Sequence, residues 1–331
     1  MNPKHIAVVG ATGAVGAEFN KVLEQRKFPV KSVKFLASAR SLGKKIKFNG
    51  QDHPVEELTK DSFKGVEIAL FSAGATRSRE FAKAAVDAGA VVVDNSSAFR
   101  MDPEVPLVVP EVNPEDIKKH KGIIANPNCS TIIMLMGIYP IYKLSRIKRV
   151  IVSTYQAASG AGAKAMEELV EQAKDFLDNK PIKKVAFPHQ IAFNLFSHNT
   201  KIGEDGYNEE ETKMVKETWK ILHDNDIKVT PTCVRVPILR AHSESIVVET
   251  EKKLNLEDVR KAIASFPGCK LIDDREKNYF PMPIEASGQD DCYVGRIRHD
   301  HTFDNGIALF VAGDQLLKGA ALNAVQIAEL L

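Results

Sequence analysis

Cys129 is the residue of this chain best placed to act as a nucleophile. It follows the polar residues 126–128 (Asn-Pro-Asn) and precedes the apolar residues 132–136. A polar turn before an apolar run predicts the start of a helix, with Asn128 or a neighbour as its cap. The positive end of a helix lowers a cysteine pKa and favours the thiolate. The alternative is a buried cysteine that packs as a small hydrophobic side chain, and the polar flank argues against it.

A nucleophilic cysteine needs a proton carrier, and His242 is the candidate. It lies in residues 235–245 (RVPILRAHSES), which begin with Arg235. A lone histidine is more often structural. Strand parity would place Arg235 and His242 on opposite faces, but Pro237 between them makes an unbroken strand a poor prediction. The sequence therefore leaves the geometry of this pair open.

Composition restricts the classes of function. The chain has 331 residues, 44% hydrophobic and 27% charged, which is enough for two domains. Its net charge is +2 and it has no basic block, so nucleic acid and membrane are disfavoured as partners. The four cysteines form no Cys-x-x-Cys pair, so we expect no metal site, no disulfide framework and a reducing cytoplasm.

The two halves of the chain carry different patterns. The first half alternates short apolar strands with helices, which predicts a doubly wound parallel α/β sheet over residues 1–128. The second half has longer strand-like runs, which predict an α+β catalytic and dimerisation domain over 129–313, on a mixed or antiparallel sheet. Residues 314–331 form one apolar helical face that we expect to complete the first domain. The predicted strands are 5–9, 33–37, 66–71, 91–93, 122–125, 150–155, 228–236, 245–250 and 307–311, and the predicted helices are 77–88, 164–177, 209–222 and 256–265.

A glycine-rich turn follows the first predicted strand. Residues 10–16 read GATGAVG, a G-x-x-G-x-x-G spacing that opens a helix and suits a dinucleotide pyrophosphate. The second strand ends in residues 38–45 (SARSLGKK), which include no carboxylate for a ribose hydroxyl. Arg40 with Ser38 and Ser41 could bind a 2′-phosphate, so NADP is favoured over NAD, the alternative being a solvated basic loop.

Seven segments together resemble the aspartate-semialdehyde dehydrogenase family. They run from one end of the chain to the other: GATGAVG, SARSLGKK, DNSSAFR, NPNCST, YQAASGAG, CVRVPILRAH and GDQLLKGAALNA. The resemblance implies a Rossmann-type domain followed by a second domain like that of glyceraldehyde-3-phosphate dehydrogenase, and a homodimer or homotetramer. It implies interconversion of aspartate β-semialdehyde and β-aspartyl phosphate with NADP and phosphate, in lysine, methionine, threonine and diaminopimelate biosynthesis.

The resemblance also assigns roles to residues. Cys129 would form a thioester, His242 would act as acid and base, and Gln156 would orient the reacting group. Four residues would bind substrate or phosphate: Arg235 the α-carboxylate, Glu210 the ammonium, and Arg100 and Lys213 the phosphate. The cofactor positions would be Thr12, Gly13, Ala14, Val15, Arg40, Ser41, Ser159, Gly160 and Gln315.

Two points stay open at the level of sequence. Glu210 and Lys213 share a helical face, and their alternative role is a surface ion pair. Because Glu209, Glu210 and Glu211 are adjacent, the ammonium-binding position could shift by one residue.

Three other functions remain alternatives. N-acetyl-γ-glutamyl-phosphate reductase, or another phosphorylating aldehyde dehydrogenase, would share the fold and the cysteine, but an acetylated substrate gives a carboxylate at Glu210 little purpose. A cysteine hydrolase with a Cys129–His242 pair would leave the glycine turn unexplained. A non-catalytic NADP-binding regulator should lack an activated thiol.

Overall fold

The computed structural model describes residues 2–331. The chain divides into two compact units. The first unit holds the described residues up to Asn128 together with Ala320–Leu331, and the second unit is Cys129–Gly319. The chain therefore enters its second unit at the cysteine that the sequence singles out.

A seven-stranded sheet with helices forms the first unit. Its order is β3-β4-β2-β1-β5-β6-β7, and each neighbouring pair is parallel except β3 with β4. Since β1 lies between β2 and β5, the winding reverses there, which favours a ligand crevice at the carboxyl end of β1. The elements are β1 Lys4–Val9, α1 Ala14–Gln25, β2 Val30–Ala37, β3 Lys45–Phe48, β4 Gln51–Glu57, β5 Ile68–Phe71, α2 Ala75–Asp87, β6 Val91–Asp94, β7 Ile123–Ala125 and the last helix of the chain, α8 Leu322–Glu329.

A second seven-stranded sheet forms the second unit. Its order is β12-β13-β14-β11-β8-β10-β9. It is mixed: β10 is parallel to β8, whereas β11 is antiparallel to both β8 and β14. The elements are α3 Cys129–Leu144, β8 Ile147–Gln156, α4 Ala163–Leu177, β9 Phe196–Ser197, α5 Glu209–Leu222, β10 Lys228–Arg235, β11 His242–Thr250, α6 Leu256–Ala264, β12 Cys269–Leu271, α7 Pro283–Ala286, β13 Cys292–His299 and β14 Gly306–Gly313.

One face of the second sheet is covered and the other is open. Alternate residues of β8, Val150 and Val152, are buried on the face that α3 and α5 cover, whereas Ile151 between them is 44% exposed. The same alternation on β11 leaves Ser245 and Val247 half-buried. This open face carries the apolar residues Ile151 and Val247, and an open sheet face with such residues is suited to contact another protein surface.

Helix α3 is the central apolar helix of the second unit. Nearly all its residues from Ser130 to Ile138 are buried, and it contacts α5, α6, β11 and β14. A helix that is apolar all round is typical of a domain core. Among residues 2–331, α3 included, no helix combines the length and apolarity needed to cross a membrane.

The doubly wound sheet with a second α+β domain is confirmed, but one predicted helix needs correction, and strands β3, β4, β9, β12 and β13 were not predicted. The predicted C-terminal helix over 314–331 begins later: Asp314 accepts backbone N–H bonds from Leu316 and Leu317, a π-helical turn spans Leu317–Ala321, and α8 starts at Leu322. The β3–β4 hairpin was not predicted. Its turn is Asn49-Gly50, with φ of 47° and 78°, and this dipeptide is a strong hairpin signal.

Glu244 on β11 is a buried carboxyl group. It is fully buried, and neither of its oxygens has a hydrogen-bond partner among residues 2–331. Burial raises its pKa well above the ordinary value of a glutamate. The folded chain therefore holds this proton over a pH range in which the unfolded chain has lost it.

We predict that Glu244→Gln changes the pH dependence of stability. Wild-type protein should lose unfolding free energy as the pH rises from about 4.3, the unfolded value, towards the raised folded pKa, by about 1.4 kcal/mol per pH unit. The glutamine variant carries no such proton, so its advantage over wild type should grow with pH. Thermal unfolding at several pH values measures this, with the exposed Glu276→Gln as control. Parallel stability curves for wild type and Glu244→Gln would contradict the prediction.

Candidate active site

The glycine turn of the first unit requires glycine at two positions. Gly10 follows β1 with φ of 83°, and a Cβ there would lie 2.3 Å from the carbonyl oxygen of Ser72. A Cβ on Gly16 would lie 2.3 Å from the carbonyl oxygen of Gly10, so α1 packs directly on the turn. Both contacts exclude any larger residue.

The first turn of α1 can accept an anion. Gly13 precedes the helix, and Ala14 and Val15 are its first residues. In the described chain, no side chain caps this end, so its backbone N–H groups remain available as donors. Such an end is suited to bind a phosphate.

A cleft of about 700 Å³ adjoins this turn and includes the predicted cofactor residues Thr12, Gly13 and Arg40 in its lining. The hydroxyl of Thr12 lies 3.2 Å from that of Ser41, which follows Arg40. The structure thus places the glycine turn and the end of β2 on one cavity of the first unit.

Three charged residues of this cleft were not predicted from the sequence. Arg77 and Glu80 line it and form an ion pair of 2.6 Å. Glu57 lines it at the carboxyl end of β4, where it pairs in register with Ala37 of β2. The sequence offers no carboxylate after β2 itself, but parallel pairing brings one from the neighbouring strand.

Arg100 is buried at the carboxyl edge of the first sheet. Its Nε donates to the carbonyl oxygen of Asn126 at 2.9 Å, and its Nη2 donates to that of Asn95 at 3.1 Å. Asp94 at the end of β6 accepts from Ser78 at 2.6 Å. Burial raises the pKa of Asp94, while its hydrogen bonds with Ser78 and Ser96 and the charge of Arg100 oppose the rise. The two hydrogen bonds of Arg100 to carbonyl oxygens hold its guanidinium rigidly.

Cys129 is the first residue of α3, as the sequence predicts, and is partly exposed. Gly319 lies against it: a Cβ on Gly319 would approach the Cβ of Cys129 to 2.8 Å. Only a hydrogen atom fits there, so Gly319 helps to fix the thiol. Gly319 was not predicted as a site residue, although a glycine within an otherwise helical pattern is a signal of close packing.

His242 is completely buried at the start of β11. The backbone N–H of Ala157 donates to its Nδ1 at 3.0 Å, so the neutral ring carries its proton on Nε2. That Nε2 has no hydrogen-bond partner within residues 2–331. Burial, and then the charge of Arg235, lower the pKa of His242 well below its ordinary value. The side chain is thus a neutral N–H donor.

Gln156 and Glu210 lie together in the second unit. The Nε2 of Gln156 lies 2.9 Å from the hydroxyl of Ser130, next to Cys129, and 3.4 Å from Oε1 of Glu210. Lys213 lies 3.2 Å from the other oxygen of Glu210. The predicted pair Glu210–Lys213 is therefore part of a buried polar cluster beside the start of α3.

The structure distinguishes the three adjacent glutamates. Glu209 is exposed, whereas Glu211 forms a capping box with Asn208 and accepts the N–H of Cys233 at 2.9 Å. Only Glu210 directs its carboxylate to Gln156. Of the three, Glu210 is therefore the one that lies in the cluster with Gln156, and its role towards the ammonium stays a prediction.

Arg235 ends β10 as a buried guanidinium. Its Nη1 donates to the carbonyl oxygen of Ala157 at 3.2 Å, and its Nη2 lies 2.8 Å from Nε2 of His198. A Cβ on Gly160 would lie 2.8 Å from Nη1 of Arg235 and 3.1 Å from Nε2 of His242. Arg235 and His242 therefore meet beside Gly160, which strand parity alone could not show.

Ser159 and Gln315 are both buried and hydrogen-bonded to each other. The other end of the Gln315 side chain accepts the N–H of Ala241 at 2.9 Å. Both residues thus lie close to His242, which follows Ala241.

The two units supply different chemistry. The first offers backbone donors and guanidinium groups, which suit phosphates. The second offers a thiol at a helix start, a neutral imidazole donor, a guanidinium and a carboxylate. No group of three His, Cys, Asp or Glu side chains in the described part of the chain could hold a metal ion.

Both halves of the chain match known domain families. A family described as "Semialdehyde dehydrogenase, NAD binding domain" matches residues 5–120, and one described as "Semialdehyde dehydrogenase, dimerisation domain" matches residues 138–318.

Full-length relatives give the same result. Aspartate-semialdehyde dehydrogenase of Aquifex aeolicus is 56% identical over 330 residues, covering 98% of this chain and 97% of that protein. The enzyme of Synechocystis sp. is 54% identical and covers 100% and 98%. The crystal structure of aspartate semialdehyde dehydrogenase II complexed with ASA from Vibrio cholerae has a TM-score of 0.97 at 45% identity, covering 100% of this chain and 98% of that one. With domain matches in both units and this identity over its whole length, the chain belongs to the aspartate-semialdehyde dehydrogenase family.

Proposed function

We propose that this enzyme reduces β-aspartyl phosphate to aspartate β-semialdehyde with NADP as its cofactor, through a thioester on Cys129. The observation that carries the proposal is the cluster in the second unit. It combines the thiol at the start of α3, the donor Nε2 of His242, and the buried pair Arg235 and Glu210.

Cys129 supplies the nucleophile. Its deprotonated sulfur, favoured by the helix start, attacks the acyl carbon of the substrate, and the bond to phosphate breaks with release of inorganic phosphate. The N–H of His242 at Nε2 donates a hydrogen bond to the oxygen of the tetrahedral adduct. Because Nδ1 already accepts from Ala157, this donor role fits the geometry better than abstraction of a proton by the same ring.

Two charged residues recognise the α-carbon of the substrate. Arg235 presents its guanidinium to the carboxylate, and Glu210 presents its carboxylate to the ammonium. Gln156, which contacts both Ser130 and Glu210, orients the reacting group. A free α-ammonium gives Glu210 a purpose that an acetylated substrate would not.

Phosphate recognition is assigned to Arg100 and Lys213. Arg100 is a rigid guanidinium, and Lys213 is a partly exposed point charge on α5. In the reverse reaction phosphate accepts the acyl group from Cys129, and a positive charge beside the thioester favours binding of phosphate there.

The cofactor fits the first unit as NADP. The close approach at Gly10, the uncapped start of α1 and the adjoining cleft suit a pyrophosphate, and Arg40 with Arg77 suits a 2′-phosphate. When bound, the nicotinamide would supply a hydride to the acyl carbon of the thioester. Cleavage of the bond to Cys129 Sγ then releases the aldehyde and restores the thiolate. Thr12, Gly13, Ala14, Val15 and Ser41 are the proposed cofactor residues of the first unit. Ser159, Gly160 and Gln315, in the second unit, keep the cofactor role that the family resemblance implies.

We also infer a homodimer that forms through the open face of the second sheet. The match to a dimerisation domain over residues 138–318 supports oligomer formation, and the apolar residues Ile151 and Val247 lie on that face. The four free thiols suit a reducing compartment, so we place the enzyme in the cytoplasm.

Cys129→Ala should abolish turnover while NADP binding stays near normal, because the glycine turn lies in the other unit. Wild type incubated with β-aspartyl phosphate and no reduced cofactor should gain an acyl mass at Cys129 in intact-mass and peptide measurements. The buried Cys292→Ala is the matched control and should keep its activity. An active Cys129→Ala variant would rule out the thioester.

His242→Ala should lower kcat by about 10²–10³-fold, because one hydrogen-bond donor to the oxyanion is lost.

Arg40→Ala should raise KM for NADP by about 10–100-fold and change KM for NAD little, because a charged hydrogen bond to the 2′-phosphate is lost. Glu57→Gln should lower KM for NADP, because the carboxylate of Glu57 lies in the same cleft and repels the 2′-phosphate. Lys44→Ala, an exposed cation of the same loop, is the control. Steady-state kinetics with both cofactors measure these effects, and equal effects of Arg40→Ala on NADP and NAD would refute the assignment.

Arg100→Ala and Lys213→Ala should each raise KM for phosphate by about 10-fold or more and leave KM for NADP nearly unchanged. Arsenate, which has similar shape and charge, should replace phosphate in wild type and lose its effect in both variants. Lys216→Ala, an exposed cation one turn further along α5, is the control. Variants that saturate with phosphate as wild type does would show that these two assignments are wrong.

A further inference from the structure

We infer that His198 is a positioning residue for substrate recognition: as a neutral imidazole it fixes Arg235 and, through Thr200, connects it to the start of the helix that carries Glu210. This inference rests on the proposed roles of Arg235 and Glu210. Sequence motifs do not single out His198, and the mechanism above does not use it.

The backbone of His198 is held beside β10. It follows β9, whose two residues pair antiparallel with Val234 and Arg235. The N–H of His198 donates to the carbonyl oxygen of Cys233 at 2.8 Å, and its side chain is buried. The imidazole is therefore fixed at the edge of the sheet next to Arg235.

The contact with Arg235 determines the tautomer of His198. A guanidinium only donates, so Nε2 of His198, 2.8 Å from Nη2 of Arg235, must accept. The ring proton then lies on Nδ1, which is 3.2 Å from the hydroxyl oxygen of Thr200. The imidazole is thus an acceptor towards Arg235 and a donor towards Thr200.

Thr200 links this ring to α5. The backbone N–H of Glu210 donates to the same hydroxyl oxygen of Thr200 at 3.3 Å. A continuous series of hydrogen bonds therefore runs from the guanidinium of Arg235 through His198 and Thr200 to the amide of Glu210. This series links the guanidinium that is proposed to bind the substrate carboxylate to the backbone of the residue whose side chain is proposed to bind the ammonium.

The charges around His198 keep it neutral. Burial, and then the charge of Arg235, lower the pKa of His198 to about 4; Glu210 opposes this fall and Lys213 adds to it. His242 is the other titratable neighbour, and His198 in turn lowers its pKa. At neutral pH the ring therefore remains an acceptor, whereas a protonated ring would repel Arg235.

The expected consequence is a selective effect on substrate binding. Without the acceptor, the buried guanidinium loses a charged hydrogen bond and its fixed orientation towards Glu210. Binding of the substrate carboxylate should weaken, while phosphate and NADP, which do not depend on Arg235, should bind as before.

The test compares His198→Leu with His198→Gln in steady-state assays of aspartate semialdehyde, phosphate and NADP. Leucine removes the acceptor, and KM for aspartate semialdehyde should rise by about 10-fold or more, with less than about 2-fold change in KM for phosphate and NADP. Glutamine offers a carboxamide oxygen to Arg235 and an N–H to Thr200, so it should restore KM to within about 3-fold of wild type. Thr200→Val, which keeps the side-chain shape, should give a smaller rise in KM for aspartate semialdehyde. This variant tests the inference if His198→Leu does not fold.

Arg235→Ala separates this inference from the proposed function. If Arg235→Ala leaves KM for aspartate semialdehyde unchanged, the proposed role of Arg235 is wrong and the inference falls with it. If Arg235→Ala raises that KM but His198→Leu and Thr200→Val do not, only the inference is overturned. Equal rises in all three KM values, or failure of glutamine to restore binding, would show that His198 is merely structural.

Discussion

The buried guanidinium of Arg235 is the charge around which the polar groups of the second unit are arranged. A cation that is 5% exposed must be compensated, and here the compensation comes from the carbonyl oxygen of Ala157, the ring of His198 and the field of Glu210. Burial, and then this charge, lower the pKa of both His198 and His242, so both imidazoles stay neutral. Burial and one fixed charge thus act together on the groups around Arg235.

The binding roles proposed for the two units depend on different groups. The first unit uses backbone N–H groups at the start of α1, and this requires glycine at positions 10 and 16, where side chains would collide with carbonyl oxygens. The second unit uses side chains from four elements: the start of α3, the end of β10, the start of β11 and α5. A phosphate can be bound by amides of any sequence, whereas an amino-acid head group needs charges of both signs at a set distance.

Close packing at the catalytic cluster leaves little freedom. A Cβ on Gly319 would lie 2.8 Å from the Cβ of Cys129, and a Cβ on Gly160 would lie 2.8 Å from Nη1 of Arg235. Rigid neighbours hold a nucleophile and a donor in a reactive orientation better than mobile ones do. Glu244 contrasts with these groups. Neither of its carboxyl oxygens has a hydrogen-bond partner among the described residues, and burial raises its pKa, which favours the protonated form in the folded chain.

The sequence by itself determined the alternation of strands and helices, the glycine turn and the placement of Cys129 at a helix start, because each depends on residues close together in the chain. It also contained the Asn49-Gly50 hairpin signal, which was overlooked. Only the tertiary structure decided that Glu57 shares a cleft with Arg40, that Glu210 rather than its neighbours meets Gln156, and that a histidine lies against Arg235. That histidine, His198, is 37 residues from its partner. Such contacts arise from strand pairing and from the packing of helices on the sheet, and local spacing carries no information about which distant residues these will join.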